Sequence, residues 1–164
     1  CILACKAAIK ISPKNAIAWN NICSSYNALG EWDKAIEAGN NAFKIDPKFF
    51  ESHDIHLHVP EGAVPKDGPS AGVTMTTAIV SALTHTPVYA NLAMTGEVTL
   101  RGNVLPIGGL KEKSLAAHRV GIEKILIPHL NLKDLDEVPQ VVKDHIQFVP
   151  VTNVMQVLEH ALVK

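Results

Sequence analysis

Through residues 1–50 apolar side chains recur at helical spacing. Residues 16–29 and 33–45 each gather apolar side chains on one helical face, and Gly30 supplies the break between them. Residues 1–11 carry the same pattern and predict one more helix. After Phe50 the character changes, because β-branched residues, glycines and short apolar runs replace the alanine-rich period. Alternation over 53–59 predicts a strand, 70–83 a helix, and 88–105 strands around Gly96 and Gly102. A helix over 110–120, a short buried strand over 124–128, a strand over 146–151 and a closing helix over 154–163 follow. Strands alternating with helices argue for an α/β layer. The chain therefore divides into an all-α part, 1–50, and an α/β part, 51–164, with the boundary inside 48–53.

The all-α part contains a repeat. Lys10-Ile11-Ser12-Pro13-Lys14 returns as Lys44-Ile45-Asp46-Pro47-Lys48, an offset of 34 residues (44 − 10). Between the two prolines Trp19, Ile22, Tyr26, Gly30, Trp32, Ala35 and Ala42 resemble the packing positions of a tetratricopeptide (TPR) repeat, whose period is the same. The chain departs from that pattern at Cys23 and at Gly39 or Asn40. The resemblance implies that Trp19, Ile22, Tyr26, Ala35 and Ala42 pack between two helices, with 1–11 laid against 16–29 as the end of a preceding repeat. About one and a half repeats are present, where a stack of this kind needs about three to bury enough surface by itself. Residues 1–50 are accordingly expected to be a truncated stack or to lean on a further element.

Composition narrows the function classes. With 15 Lys and Arg against 16 Asp and Glu, a net charge of −1 and no block of like charges, the footprint of a nucleic-acid binder is missing. No apolar window is long enough to span a bilayer, and no signal peptide opens the chain. The start at Cys rather than Met reads as a fragment or a processed chain. Cys1, Cys5 and Cys23 are odd in number and confined to the helical part, so they read as reduced packing residues of a cytoplasmic protein.

Pro65-Lys66-Asp67-Gly68-Pro69-Ser70-Ala71-Gly72 joins a strand region to a helix through a tight turn. Ser70 at a helix N-terminus would lie beside unpaired N–H groups and the positive end of the helix dipole, an environment that stabilises an oxyanion. Serine is equally a common helix cap. A hydroxyl becomes a nucleophile only when a base takes its proton, and no S-x-x-K spacing occurs in the chain to supply one nearby.

Three segments then carry a family resemblance: Pro65 to Gly72; Met94-Thr95-Gly96-Glu97-Val98-Thr99-Leu100-Arg101-Gly102; and Gly108-Gly109-Leu110-Lys111-Glu112-Lys113. In this order and spacing they resemble the proteolytic domain of Lon peptidases, and the likeness continues through Leu115-Ala116-Ala117-His118-Arg119 and Ile127-Pro128 to Leu158-Glu159-His160-Ala161-Leu162. The resemblance implies a serine endopeptidase with a Ser–Lys dyad: Ser70 as nucleophile, Lys113 as general base, and Thr95 as the hydroxyl that hydrogen-bonds the lysine. His56, His58 and Asp67 are implied to support the site. Lys111 is two residues from Lys113 and points elsewhere on the helix, whereas Lys113 shares a face with Leu110 and Ala117, read as the more buried one. His53, His56 and His58 lack the spacing of a zinc site, so no metal is expected.

The resemblance covers residues 52–164, and strands that precede His53 in the family are not found ahead of it here. The helical repeat stands in their place, and the junction 48–54 has no Gly- or Pro-rich linker, as in a splice of two pieces. A truncated α/β Lon-type domain would then expose a sheet edge and an uncovered face unless the helices, or a partner chain, cover them. No G-x-x-x-x-G-K-[ST] loop occurs, so no nucleotide cofactor is expected of this chain. The implied partners are unfolded proteins or peptides as substrates, a peptide at the TPR face, and further copies of the chain, since the family forms hexameric rings. The alternative reading is a TPR scaffold or peptide-binding module, or a chimera, with a catalytically silent peptidase half.

Overall fold

A computed structural model of the protein describes residues 2–13, 16–43, 48–58 and 68–163. The chain divides into two units, Cys1–Lys66 and Asp67–Lys164.

In the first unit three helices follow one another, α1 (Ile2–Ile11), α2 (Ala16–Ala28) and α3 (Trp32–Phe43), with α2 packed against both neighbours. Small side chains allow the close approach. Ala18, Ile22, Ala35 and Ala38 are buried, and a Cβ added at Gly39 would lie 3.5 Å from Cys23 Sγ. Trp19 is half-buried and donates its ring N–H to the Pro13 carbonyl at 2.9 Å, while the half-buried Tyr26 ring has the ammonium groups of Lys6 and Lys34 at 5.6 and 5.5 Å. The side chain of Ala42 lies outside the described residues. Burial pushes the Cys23 thiol up, so less of it is thiolate at neutral pH. Iodoacetamide should therefore modify Cys23 several-fold more slowly in the folded chain than in the chain unfolded by urea; equal rates in peptide mass mapping would contradict this packing.

A short helix α4 (Phe49–Ser52) closes this part, and residues 53–58 run on exposed and without regular structure. The strand expected over 53–59 is thus not formed at 53–58, and Val59 is outside the described residues. Alternating side chains do not make a strand by themselves; its N–H and C=O groups need a paired neighbour.

The second unit opens with α5 (Gly72–Thr84) and strand β1 (Leu92–Met94), then the hairpin of β2 (Glu97–Val98) and β3 (Val104–Leu105). Helix α6 (Leu110–Arg119), strand β4 (Lys124–Pro128), a 3-10 helix (His129–Glu137), α7 (Gln140–His145), β5 (Gln147–Val151) and α8 (Val154–Ala161) complete it. Strands β1, β4 and β5 form a parallel sheet with β4 in the centre, Leu92 paired with Lys124 and Lys124 with Gln147. A central parallel strand is covered on both faces, which is why β4 is a continuous apolar run. Its residues alternate between two cores. Ile125 and Ile127 pack with Leu110 and Ala117 of α6 and Val142 of α7, while Leu126 packs with Val73 of α5, Val151 and Val157 of α8. Helices α5 and α8 thus pack on one side of β4, and α6 and α7 on the other. Asn153 caps α8 by accepting the Met155 N–H at 2.9 Å, and Gln156 reaches back to the Asn153 N–H at 3.3 Å.

Ile127 is fully buried, so Ile127→Ala should lower unfolding stability by about 2–5 kcal/mol, as cavity-forming substitutions do. Chemical denaturation checks it, and a loss below about 1 kcal/mol would show that the site is not core. Among the described residues no helix is long and apolar enough to cross a membrane.

Candidate active site

The turn before α5 is built by backbone bonds to the start of the β2–β3 hairpin. The Gly72 N–H closes it on the Pro69 carbonyl at 3.0 Å, and the Val73 N–H donates to the Gly96 carbonyl at 3.0 Å. The Ser70 carbonyl accepts the Gly96 N–H at 2.9 Å and the Thr95 hydroxyl at 3.2 Å. The Thr95 N–H in turn donates to Leu126 of the central strand at 3.1 Å, so the Ser70 turn is anchored to the sheet. Only glycine fits at 72, because a Cβ there would lie 2.9 Å from the Val98 nitrogen.

This arrangement moves the helix start and takes two N–H groups out of the expected oxyanion environment. Helix α5 starts at Gly72, two residues later than expected, and the N–H groups of Gly72 and Val73 are already bonded. Ser70 sits in the turn and not at the helix end.

Helix α6 begins at Leu110 after Gly109, which takes the left-handed conformation with φ 71° that glycine tolerates. The Lys113 N–H bonds the Gly109 carbonyl at 3.1 Å, and Lys113 Nζ donates to the Gly108 carbonyl, also at 3.1 Å. Leu110, Ser114 and Ala117 form the buried face of α6, and the Lys113 side chain emerges beside it and is exposed. The expectation of burial for Lys113 is therefore corrected: its stem follows the buried face while the ammonium group reaches water.

Ser70, Thr95 and Lys113 nevertheless line one cavity of about 240 Å³. Ala71 and Thr74 join it from the start of α5, Ala93 and Met94 from β1, Ala117 from α6 and Ile125 from β4. Its floor is mostly apolar, with hydroxyls and one ammonium at the edge. The resting hydrogen bond of Lys113 goes to Gly108 and not to Ser70 Oγ, and the Thr95 hydroxyl donates to the Ser70 carbonyl and not to the lysine. Both hydrogen bonds are thus to backbone carbonyls. Lys111 is exposed and does not border the cavity. His56 and His58 belong to the first unit, on the exposed irregular segment 53–58, and Asp67 lies outside the described residues. Among the described residues no group of three or more His, Cys, Asp and Glu side chains gathers.

Thr74 and Ile125 were not singled out in the sequence. Thr74 Oγ1 donates to the Met94 carbonyl at 3.3 Å and ties α5 to β1 beside Ser70. Its only sequence signal is its place one turn after Ser70.

A parallel sheet wrapped by helices, with a serine turn and a helical lysine on one cavity, is the architecture of an α/β domain organised around that pair. Residues 33–164 match the Lon protease (S16) C-terminal proteolytic domain, and the chain belongs to that family. The match begins within α3. The chain is 63% identical over 128 residues to the Lon protease of Bacillus thuringiensis (strain Al Hakam), covering 78% of this chain and 16% of that protein. It is 62% identical over 122 residues to the Lon protease of Clostridioides difficile (strain 630), and 64% identical over 122 residues to that of Brucella abortus biovar 1 (strain 9-941). These two cover 74% of this chain, and 16% and 15% of the relatives. The chain thus spans about a sixth of the length of the relatives it matches.

Proposed function

We propose that this chain is a serine endopeptidase of the Lon type that hydrolyses peptide bonds of unfolded proteins or peptides through a Ser70–Lys113 dyad. The observation that carries the reading is the shared cavity of Ser70, Thr95 and Lys113. In the proposed reaction a substrate filling the cavity displaces water from Lys113 and favours its neutral form, which leaves the Gly108 carbonyl and takes the Ser70 proton while Oγ attacks the scissile carbonyl carbon. The Oγ–C bond forms and the carbonyl electrons move to oxygen. Collapse of that intermediate breaks the C–N bond, and the proton passes from Lys113 to the leaving nitrogen. Water, deprotonated by Lys113, then releases the acyl group and restores Ser70. Thr95 holds the Ser70 carbonyl, and so the turn, while this happens. His56, His58 and Asp67 remain proposed supports.

The 164 residues contain no phosphate loop, so the proposed hydrolysis runs without a nucleotide bound to this chain, in a cytoplasmic setting and in homo-oligomers. The test is casein and small-peptide hydrolysis with and without ATP and magnesium, with Ser70→Ala as the blank. Hydrolysis lost in the blank and indifferent to ATP supports the proposal; no difference between chain and blank sinks it.

A second reading has its own observation. A cavity of about 440 Å³ opens among α1, α2 and α3, lined by Lys6, Lys10, Trp19, Tyr26 and Lys34 among others. Read as the groove of a TPR-like hairpin in residues 1–50, it would hold a peptide and make this unit a recruiting module beside a silent peptidase half. Labelling of Ser70 by a fluorophosphonate distinguishes the two, since a silent half leaves Ser70 unmodified.

A further inference from the structure

A buried side chain outside the cavity lining holds the residue next to the carbonyl that Lys113 bonds. Asn131, in the 3-10 helix, is 1% exposed, and its amide meets both backbone groups of one residue 24 positions away. The Ile107 N–H donates to Asn131 Oδ1 at 3.0 Å, and Asn131 Nδ2 donates to the Ile107 carbonyl at 2.8 Å. The second Nδ2 hydrogen goes to Asp134 Oδ2 at 2.5 Å. These three partners allow only one orientation of the amide, since turning it over would set its oxygen against a carbonyl and a carboxylate. Ile107 is thereby held as by a rung of sheet, at a place where no strand runs beside it.

The next residue is Gly108, whose carbonyl accepts Lys113 Nζ at 3.1 Å, followed by Gly109, the left-handed cap of α6. Two consecutive glycines would leave this turn loose without an anchor, because glycine samples more backbone conformations than any other residue. The anchor is Asn131. A buried primary amide left without partners is costly, so burying this one is explained only by what it holds.

We infer that Asn131 is a positioning residue for Lys113, acting through the Ile107–Gly108 backbone and oriented by Asp134. The inference rests on the dyad reading of the cavity. Since Asn131 does not border the cavity, its loss should leave binding of small ligands there unchanged and impair only the proton transfer that Lys113 performs.

The experiment is fluorophosphonate labelling of Ser70 in the 164-residue chain, with the first-order labelling rate and the half-saturating concentration measured separately. Amide exchange at Ile107, Gly108 and Gly109 is followed by NMR in parallel. For Asn131→Ala the labelling rate should fall by about ten- to a hundredfold, the effect of displacing a catalytic group by up to about 1 Å, with the half-saturating concentration unchanged. The Ile107 amide should lose its protection, and Asp134→Ala should show a smaller version of both effects. Leu158→Ala, which removes buried volume on α8 outside the cluster against which Ile107 packs, controls for general loosening and should leave rate and exchange as they are. If Asn131→Ala and Leu158→Ala behave alike, or if the half-saturating concentration carries the change, the inference is overturned. If the unaltered chain is not labelled at all, the dyad reading fails instead. Amide exchange then still decides whether Asn131 holds the Ile107–Gly109 turn: unaltered protection in Asn131→Ala would refute that as well.

Discussion

Lys113→Ala should reduce peptide hydrolysis by about a thousandfold or more, to the level of Ser70→Ala, while Lys111→Ala leaves most of the activity. The reason is geometric. Lys113 borders the cavity that holds Ser70, and Lys111, two residues away on the same helix, is exposed and does not. Ser70→Ala and Lys113→Ala should also be non-additive, since removing either member of a pair that acts as a unit removes the step. Steady-state hydrolysis of a fluorogenic peptide by the single and double variants checks this. Equal losses at Lys111 and Lys113 would overturn the choice of base.

The second large effect is expected at Gly72. An added methyl group would sit 2.9 Å from the Val98 nitrogen and 3.2 Å from the Gly96 carbonyl oxygen, both backbone atoms with no side chain to swing aside. Gly72→Ala must therefore push α5 and the β2–β3 hairpin apart, and the Ser70 turn lies between them through the bonds of Ser70 to Gly96 and of Val73 to Gly96. Overpacking of this kind costs about 1–3 kcal/mol, and a displacement of about 1 Å at a catalytic group costs roughly a hundredfold in rate. Gly72→Ala should accordingly fold with reduced stability and hydrolyse peptides about a hundredfold more slowly. Full activity in a folded Gly72→Ala protein, judged by circular dichroism and turnover together, would show that the contact does not position Ser70.

How much of this was legible in the sequence depended on how local the signal is. Strand β4 could be read because its apolar run, Ile125 to Ile127 ahead of Pro128, is what a strand covered on both faces requires. Helices α5, α6 and α8 could be read from period and from glycines and caps at their ends. The segment 129–145 carries no such period. Leu130, Leu132 and Leu135 fit neither two nor 3.6 residues per repeat, and the 3-10 helix and α7 form there between the bends at Pro128 and Pro139. Asn131 had no local mark at all, because its partner is 24 residues distant and only the fold brings the two together.

At 53–58 the reverse happened. The alternation His53-Asp54-Ile55-His56-Leu57-His58 has the period of a strand, yet side-chain pattern cannot supply a neighbour for its backbone. At Lys113 the sequence predicts a place on the buried face with Leu110 and Ala117; Lys113 and Ala117 do line one cavity, but a four-carbon stem lets the ammonium leave the surface its Cα belongs to. The pairing of Ser70 with Lys113 came from family resemblance, since 43 residues (113 − 70) separate them and no short motif joins them.

The most direct test of the central claim is to treat the 164-residue chain with a fluorophosphonate and locate the adduct by peptide mass spectrometry. A nucleophile activated by Lys113 should be modified at Ser70 and at none of the other serines, and the adduct should disappear in Lys113→Ala while persisting in Lys111→Ala. An unmodified Ser70, or labelling that survives Lys113→Ala, would contradict the dyad.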